Sequence, residues 1–209
     1  MAHQIAGRSP RQVLDELLAL EISGWPGRWS AMPEGEEDLK QWYGGLGWEP
    51  LWHHNHRQYV RTAPGGRFHF VRHGRARQPI TSISSTIWAL RGETLDENPR
   101  LRDLALERSQ AYAEAVTAEL GAPSWQGALN SGDFPVVLPR NASRGGAERP
   151  RRLALWHLDG PGSPSIELTV LLGMGSEEQP RLASTRIELH AHHAGITVDT
   201  DFEKGFREG

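Results

Sequence analysis

The chain has 209 residues, 37% hydrophobic and 23% charged, with a small formal charge of −3. That composition suits a folded globular protein long enough for a sizeable core, and it excludes a disordered chain. No apolar run approaches the ~20 residues of a membrane span. The absence of cysteine excludes disulfides, thiol catalysis and thiolate metal sites.

Residues 1–12 (MAHQIAGRSPRQ) hold no apolar stretch after their charges, so they do not read as a secretory signal. The expected compartment is the cytoplasm. The first predicted helix opens at Ser9-Pro10-Arg11-Gln12, where Ser9 and Gln12 form a capping box. Val13, Leu14, Leu17 and Leu18 make its apolar stripe, and Ser23-Gly24 ends it. A turn-rich link with Trp25 and Trp29 follows. A second, shorter helix is expected from Glu36 to Gly44, with Glu36, Glu37 and Asp38 at its positive N-terminus. Leu39, Trp42, Tyr43 and Leu46 would face the core.

Strands are expected next, at Trp48 to Trp52, Gln58 to Thr62 and Arg67 to Arg72, the last two joined by Pro64-Gly65-Gly66. Ile80 to Leu90 is rich in β-branched residues. The long helix from Asn98 to Leu120 has the fullest punctuation: Asn98 as cap, Pro99 at the first position, and Gly121 with Pro123 as the stop. Its expected stripe is Leu101, Leu104, Ala105, Ala111, Tyr112, Ala115, Val116 and Leu120. Further strands fall at Ser124 to Leu129, Phe134 to Leu138, Leu153 to Leu158, Ser165 to Leu172 and Thr185 to His192. The order predicts an α+β fold, an antiparallel sheet covered by one long and two shorter helices. We expect one domain over residues 1–200, with an arginine-rich loop at 140–152 and a polar tail at 201–209.

Histidine is the loudest chemical candidate, with ten in the chain. His190 and His192 would share a strand face with Glu188, and His54 or His69 on a neighbouring strand could complete a metal site. The spacing of His53, His54, His56, His190, His192 and His193 matches no known metal motif, so the expected cofactor is none. Ser82, Ser84 and Ser85 lie inside a strand, not on a nucleophile elbow. Gly44-Gly45-Leu46-Gly47 lacks the strand and helix of a dinucleotide loop. Enzyme activity is not expected. The arginines of 140–152 lack interleaved aromatics for base stacking, so nucleic acid is not the expected partner.

Tryptophan is more suggestive. Eight occur in 209 residues, five of them between Trp25 and Trp52. Trp42 and Trp48 are explained by packing the short helix onto the sheet. Trp25, Trp29 and Trp52 lie in turns or near strand ends, and Glu34, Glu36, Glu37 and Asp38 sit between them. Aromatic anchors beside acidic charge suit a surface that plugs a basic site on another protein.

The arrangement resembles an actinomycete family of unknown function. The elements that carry the likeness are Leu17 to Trp29, Gly47-Trp48-Glu49-Pro50, Tyr59 to Val71, Asn98 to Leu120 with Leu120-Gly121-Ala122-Pro123, Leu153-Ala154-Leu155, and Ile166 to Leu172. Arginine in place of lysine almost throughout agrees with a GC-rich genome. Such families resemble the small immunity proteins of polymorphic toxin systems, which occlude one toxin. The resemblance implies a stoichiometric partner protein and no catalytic residues. Two alternatives stand beside it: a secretion or folding chaperone for a client protein, and a histidine-dependent metalloenzyme.

Overall fold

The computed structural model describes residues 3–13, 15–16, 33, 35–54, 57–62, 65–72, 80–127, 150–158, 165–175 and 180–192. Among these, nine strands form one antiparallel sheet. They are β1 (His3–Gly7), β2 (Trp48–His54), β3 (Arg57–Thr62), β4 (Arg67–Arg72), β5 (Ile80–Arg91), β6 (Trp125–Gly127), β7 (Pro150–His157), β8 (Ser165–Gly175) and β9 (Pro180–His192). Two helices are bounded, α1 (Glu36–Gly45) and α2 (Asn98–Leu120). Residues 10–13 and 15–16 are also helical.

The spatial order is β2-β3-β4-β5-β9-β8-β7-β6. Strands β2 to β5 form one meander and β6 to β9 a second, each preceded by a helix, and they meet where β5 pairs with β9. No repeat is visible in the sequence, yet the topology is that of a doubled unit. Strand β5 is long enough to take two partners on its other edge. Its first part pairs with β4, from His69↔Ser84 to Arg72↔Ile80, and its last part with β1, from His3↔Arg91 to Gly7↔Trp88.

Alternation sorts the sheet into two faces. Ile166, Leu168, Val170 and Leu172 of β8 stand opposite Ala191, Leu189, Ile187 and Thr185 of β9, and all are buried. Helix α2 lies over this pair and buries Leu101, Ala105, Ser109, Tyr112, Ala113 and Val116. Helix α1 covers β2 on the same face. Trp42 packs edge-on against Trp48 and Phe70, with ring centroids 6.2 and 6.0 Å apart, and Tyr43 is fully buried. Trp42 and Trp48 therefore do pack the short helix onto the sheet.

Several sequence expectations need correction. The strand β1 was not expected; His3–Gly7 has little β character and is held by pairing with β5. The start of α2 is not capped by Asn98. A 3-10 turn at Leu95–Glu97 precedes it, with Thr94 and Glu97 as a capping box. Glu97 Oε2 accepts from the backbone N–H of Glu93 at 2.8 Å and of Thr94 at 3.3 Å, while Asn98 Oδ1 accepts from Ala183 N–H at 2.9 Å. Asn98 thus ties the helix to β9. Within α2 the buried stripe runs through Ser109 and Ala113, and Ala111 is exposed, because it lies roughly 100° around from Tyr112. The described part of the expected Ser124 to Leu129 strand is Trp125–Gly127, with Leu129 outside the described residues, while β7 and β9 begin earlier than expected. The expected strand Phe134 to Leu138 lies outside the described residues, as does most of the arginine-rich segment; Pro150, Arg151 and Arg152 belong to β7.

Other punctuation is as read. Ser9 and Gln12 bond reciprocally, backbone to side chain, at 3.0 and 3.2 Å. The β3–β4 turn places Gly65 at φ +88, which a side chain rarely adopts. Gly121, at φ +83, donates to Thr117 O, and Trp156 Nε1 of β7 caps its carbonyl at 3.1 Å.

Candidate functional site

The sheet face opposite α1 and α2, the reverse face, carries no helix among the described residues. One register row crosses it through eight strands: Trp52, Tyr59, His69, Ser84, His190, Glu167, Leu155 and Trp125. The row is aromatic at one edge and ionic at its centre. Trp52 and Tyr59 stack at 4.7 Å with planes 19° apart, and Tyr59 meets His69 at 5.3 Å. Trp52 is 50% exposed, the most exposed large hydrophobic residue among those described.

Towards the centre, Ser84 Oγ lies 2.7 Å from His190 Nδ1, and Thr169 Oγ1 lies 3.1 Å from His190 Nε2. Glu188 Oε2 is 3.4 Å from the same Nε2, and Arg186 Nε is 2.9 Å from Glu188 Oε1. His192 Nε2 sits 2.5 Å from Glu167 Oε2. The two imidazoles are stacked, centroids 5.8 Å apart and planes 15° apart. Ser84, Thr169, Glu167, His190 and His192 are all buried. His192 Nδ1 is buried with no hydrogen-bond partner.

Burial disfavours charge, yet here the pairings outweigh it. Burial would raise Glu188, but the His190 bond and the charges of His190, Arg186 and His69 hold it down at about 2. Burial would likewise raise Glu167, and the His192 bond with the charges of His190 and His192 lowers it. Burial would lower His190, and Glu188 and Glu167 together raise it. The centre therefore sets Arg186 and His190 against the carboxylates of Glu188 and Glu167. When charged, His190 donates from both nitrogens, which suits Ser84 and Thr169 as acceptors.

His190, His192 and Glu188 do share one strand face, as the alternation implied, and His69 stands in the row beside them. Three of the four ring nitrogens of His190 and His192 already meet side chains of this cluster. Among the described residues no group of three or more histidine, aspartate and glutamate side chains is arranged to hold a metal ion. The side chains of His53 and His54 lie outside the described residues, as do His56 and His193. The polar face of β9 reads in sequence as a solvated one. Its burial and the part of Glu167 are tertiary findings, and the signal in sequence was the same-parity row Glu188, His190, His192.

Of the residues singled out for partner binding, Trp25, Trp29 and Glu34 lie outside the described residues. Glu36, Glu37 and Asp38 are exposed in the first turn of α1, where Lys40 reaches Glu36 at 3.3 Å and Glu37 at 3.7 Å. Trp52 lies on the reverse face, and a bulge between Pro50 and Trp52 puts it opposite Trp48. The acidic cluster and Trp52 thus flank β2 from its two sides and do not form one patch. In Trp52's own neighbourhood stand Glu49, Arg61 and Arg67, with Arg61 Nη1 2.9 Å from Glu49 Oε2. No described helix is long and apolar enough to cross a membrane.

The chain matches no protein-family model, and no curated protein or solved structure is significantly similar to it.

Proposed function

We propose that this chain is a stoichiometric protein-binding module, in its most specific form an immunity protein that occludes one bacterial toxin. The observation that carries the reading is Trp52, half exposed at the edge strand β2 and already ordered by its stack on Tyr59. A tryptophan ordered before contact loses little entropy on binding, which is why such residues dominate interface energies. The acidic first turn of α1 lies on the other side of the same strand and offers a second, separate charged surface to the partner. The resemblance to immunity-type families points the same way.

A chaperone that adds a client strand to the sheet edge has less to use. Pro50 has no N–H to offer, the bulge beside it breaks the row, and the opposite edge strand β6 has three described residues.

Co-expression with each product of the neighbouring genes tests the proposal. Rescue of toxicity with a one-to-one complex on gel filtration is expected, and Trp52→Ala should cost about 2 kcal/mol of binding. No rescue and no complex with any neighbour would refute the immunity reading.

A further inference from the structure

We infer that the reverse face beside Trp52 and Tyr59 receives an acidic segment of the partner protein, held by Arg61 and Arg67. This rests on the protein-binding reading and adds the chemistry of the partner. Arg61 and Arg67 stand directly opposite each other on β3 and β4. Like charges in that relation repel. Glu49 bonds Arg61, whereas Arg67 is exposed and has no ion-pair partner among the described residues. Among the described residues this part of the face therefore holds two guanidinium groups for one carboxylate. A carboxylate from outside would relieve the repulsion and fit the guanidinium fork.

The rings next to this pair favour the same ligand. Tyr59 has Trp52 against one side and His69 against the other, so its ring presents an edge to solvent. Aromatic edges carry the positive part of the quadrupole, which suits a carboxylate. Nucleic acid needs ring faces on which bases can stack, and among the described residues of this part of the face only the outer face of Trp52 is left. The acidic turn of α1 belongs to the other side of the sheet and does not neutralise Arg67. An acidic protein segment is the occupant that this surface fits.

The test uses the whole chain, isotope-labelled, titrated with oligoglutamate, with oligolysine of the same length, and with oligothymidylate. Oligoglutamate should shift the Trp52 indole and the Arg61 and Arg67 side-chain signals, with an affinity that falls as salt is added. Oligolysine should shift none of them. Arg67→Glu should weaken oligoglutamate about tenfold, and Arg67→Lys should keep part of the binding. An unchanged unfolding temperature would show that both variants fold. Equal binding by Arg67→Glu, no shift with oligoglutamate, or tighter binding of oligothymidylate would each overturn the inference. A neighbouring toxin neutralised as well by Arg67→Glu as by the parent chain would also overturn it, while the proposed function would stand.

Discussion

Ser84 Oγ lies 2.7 Å from His190 Nδ1 across the β5–β9 pair, at the seam where the two meanders of the sheet meet. The seam is thus closed on its reverse face by a buried polar contact and on its helix face by Ile83 against Ala191. A slip of β9 by one residue would carry Glu188, His190 and His192 together to the wrong face and leave Ser84, Thr169 and Glu167 without them. Buried ion groups add little net stability when complete, and they are costly when one member is removed. The cluster therefore acts chiefly on register, and its parts should be sensitive to pH and to deletion.

Stability should peak between the ordinary carboxylate and histidine ranges. His190 is raised in the folded chain, so its contribution is full below 6.5 and is lost as pH climbs through its folded value. Glu188 is lowered, so its contribution is full above 4.5 and is lost as pH falls towards about 2, with Glu167 adding in the same direction. Urea midpoints across this range would check it. His190→Gln should remove most of the alkaline decline, and a parent chain whose midpoint keeps rising above pH 6.5 would contradict the assignment.

Ser84→Ala should cost ~1–3 kcal/mol, because it leaves a buried imidazole N–H with no acceptor. Replacing a serine on an exposed strand position should change stability by less than ~0.5 kcal/mol. Chemical denaturation below pH 6.5, where His190 is charged, gives the clearest comparison. A neutral Ser84→Ala would mean that His190 finds its partner elsewhere.

Gly66 lies against the carboxylate of Glu16, whose Cδ would be 2.8 Å from an added Cβ. Glu16 is buried and ion-paired with Arg8, so it has little room to move. Gly66→Ala should therefore destabilise, and Glu16→Ala in the same chain should recover part of that loss while adding its own cost. A double-mutant cycle by thermal unfolding reads the coupling, expected at ~0.5–3 kcal/mol. Additive effects would place the two residues apart.

The packing of α2 on β8 and β9 should show in its buried stripe. Leu101→Ala should cost ~2–5 kcal/mol, and Val116→Ala somewhat less. Ala111, exposed on the same helix, should accept serine with a change of only a few tenths of a kcal/mol. If Ala111→Ser proved the worst of the three, the buried stripe would lie on the wrong side of the helix.

Sequence alone determined the local elements. Period-two alternation marked β8 and β9, helical spacing with Pro99 and Gly121 marked α2, and Ser9 with Gln12 marked a helix start, because these signals act over a few residues. It also put Glu188, His190 and His192 on one face of their strand. Only the tertiary structure decided that Ser84, 106 positions away in the chain, would meet His190, or that β1 would join β5. Cross-strand register depends on how a whole sheet is assembled, and that is not written in any one segment. The same holds for Trp52, whose strand shows an apolar residue without showing that a bulge at Pro50 turns it away from Trp48 and towards Arg61 and Arg67. Burial of the β9 polar face likewise depended on its neighbours, since alternation shows which residues share a face and not what packs against it.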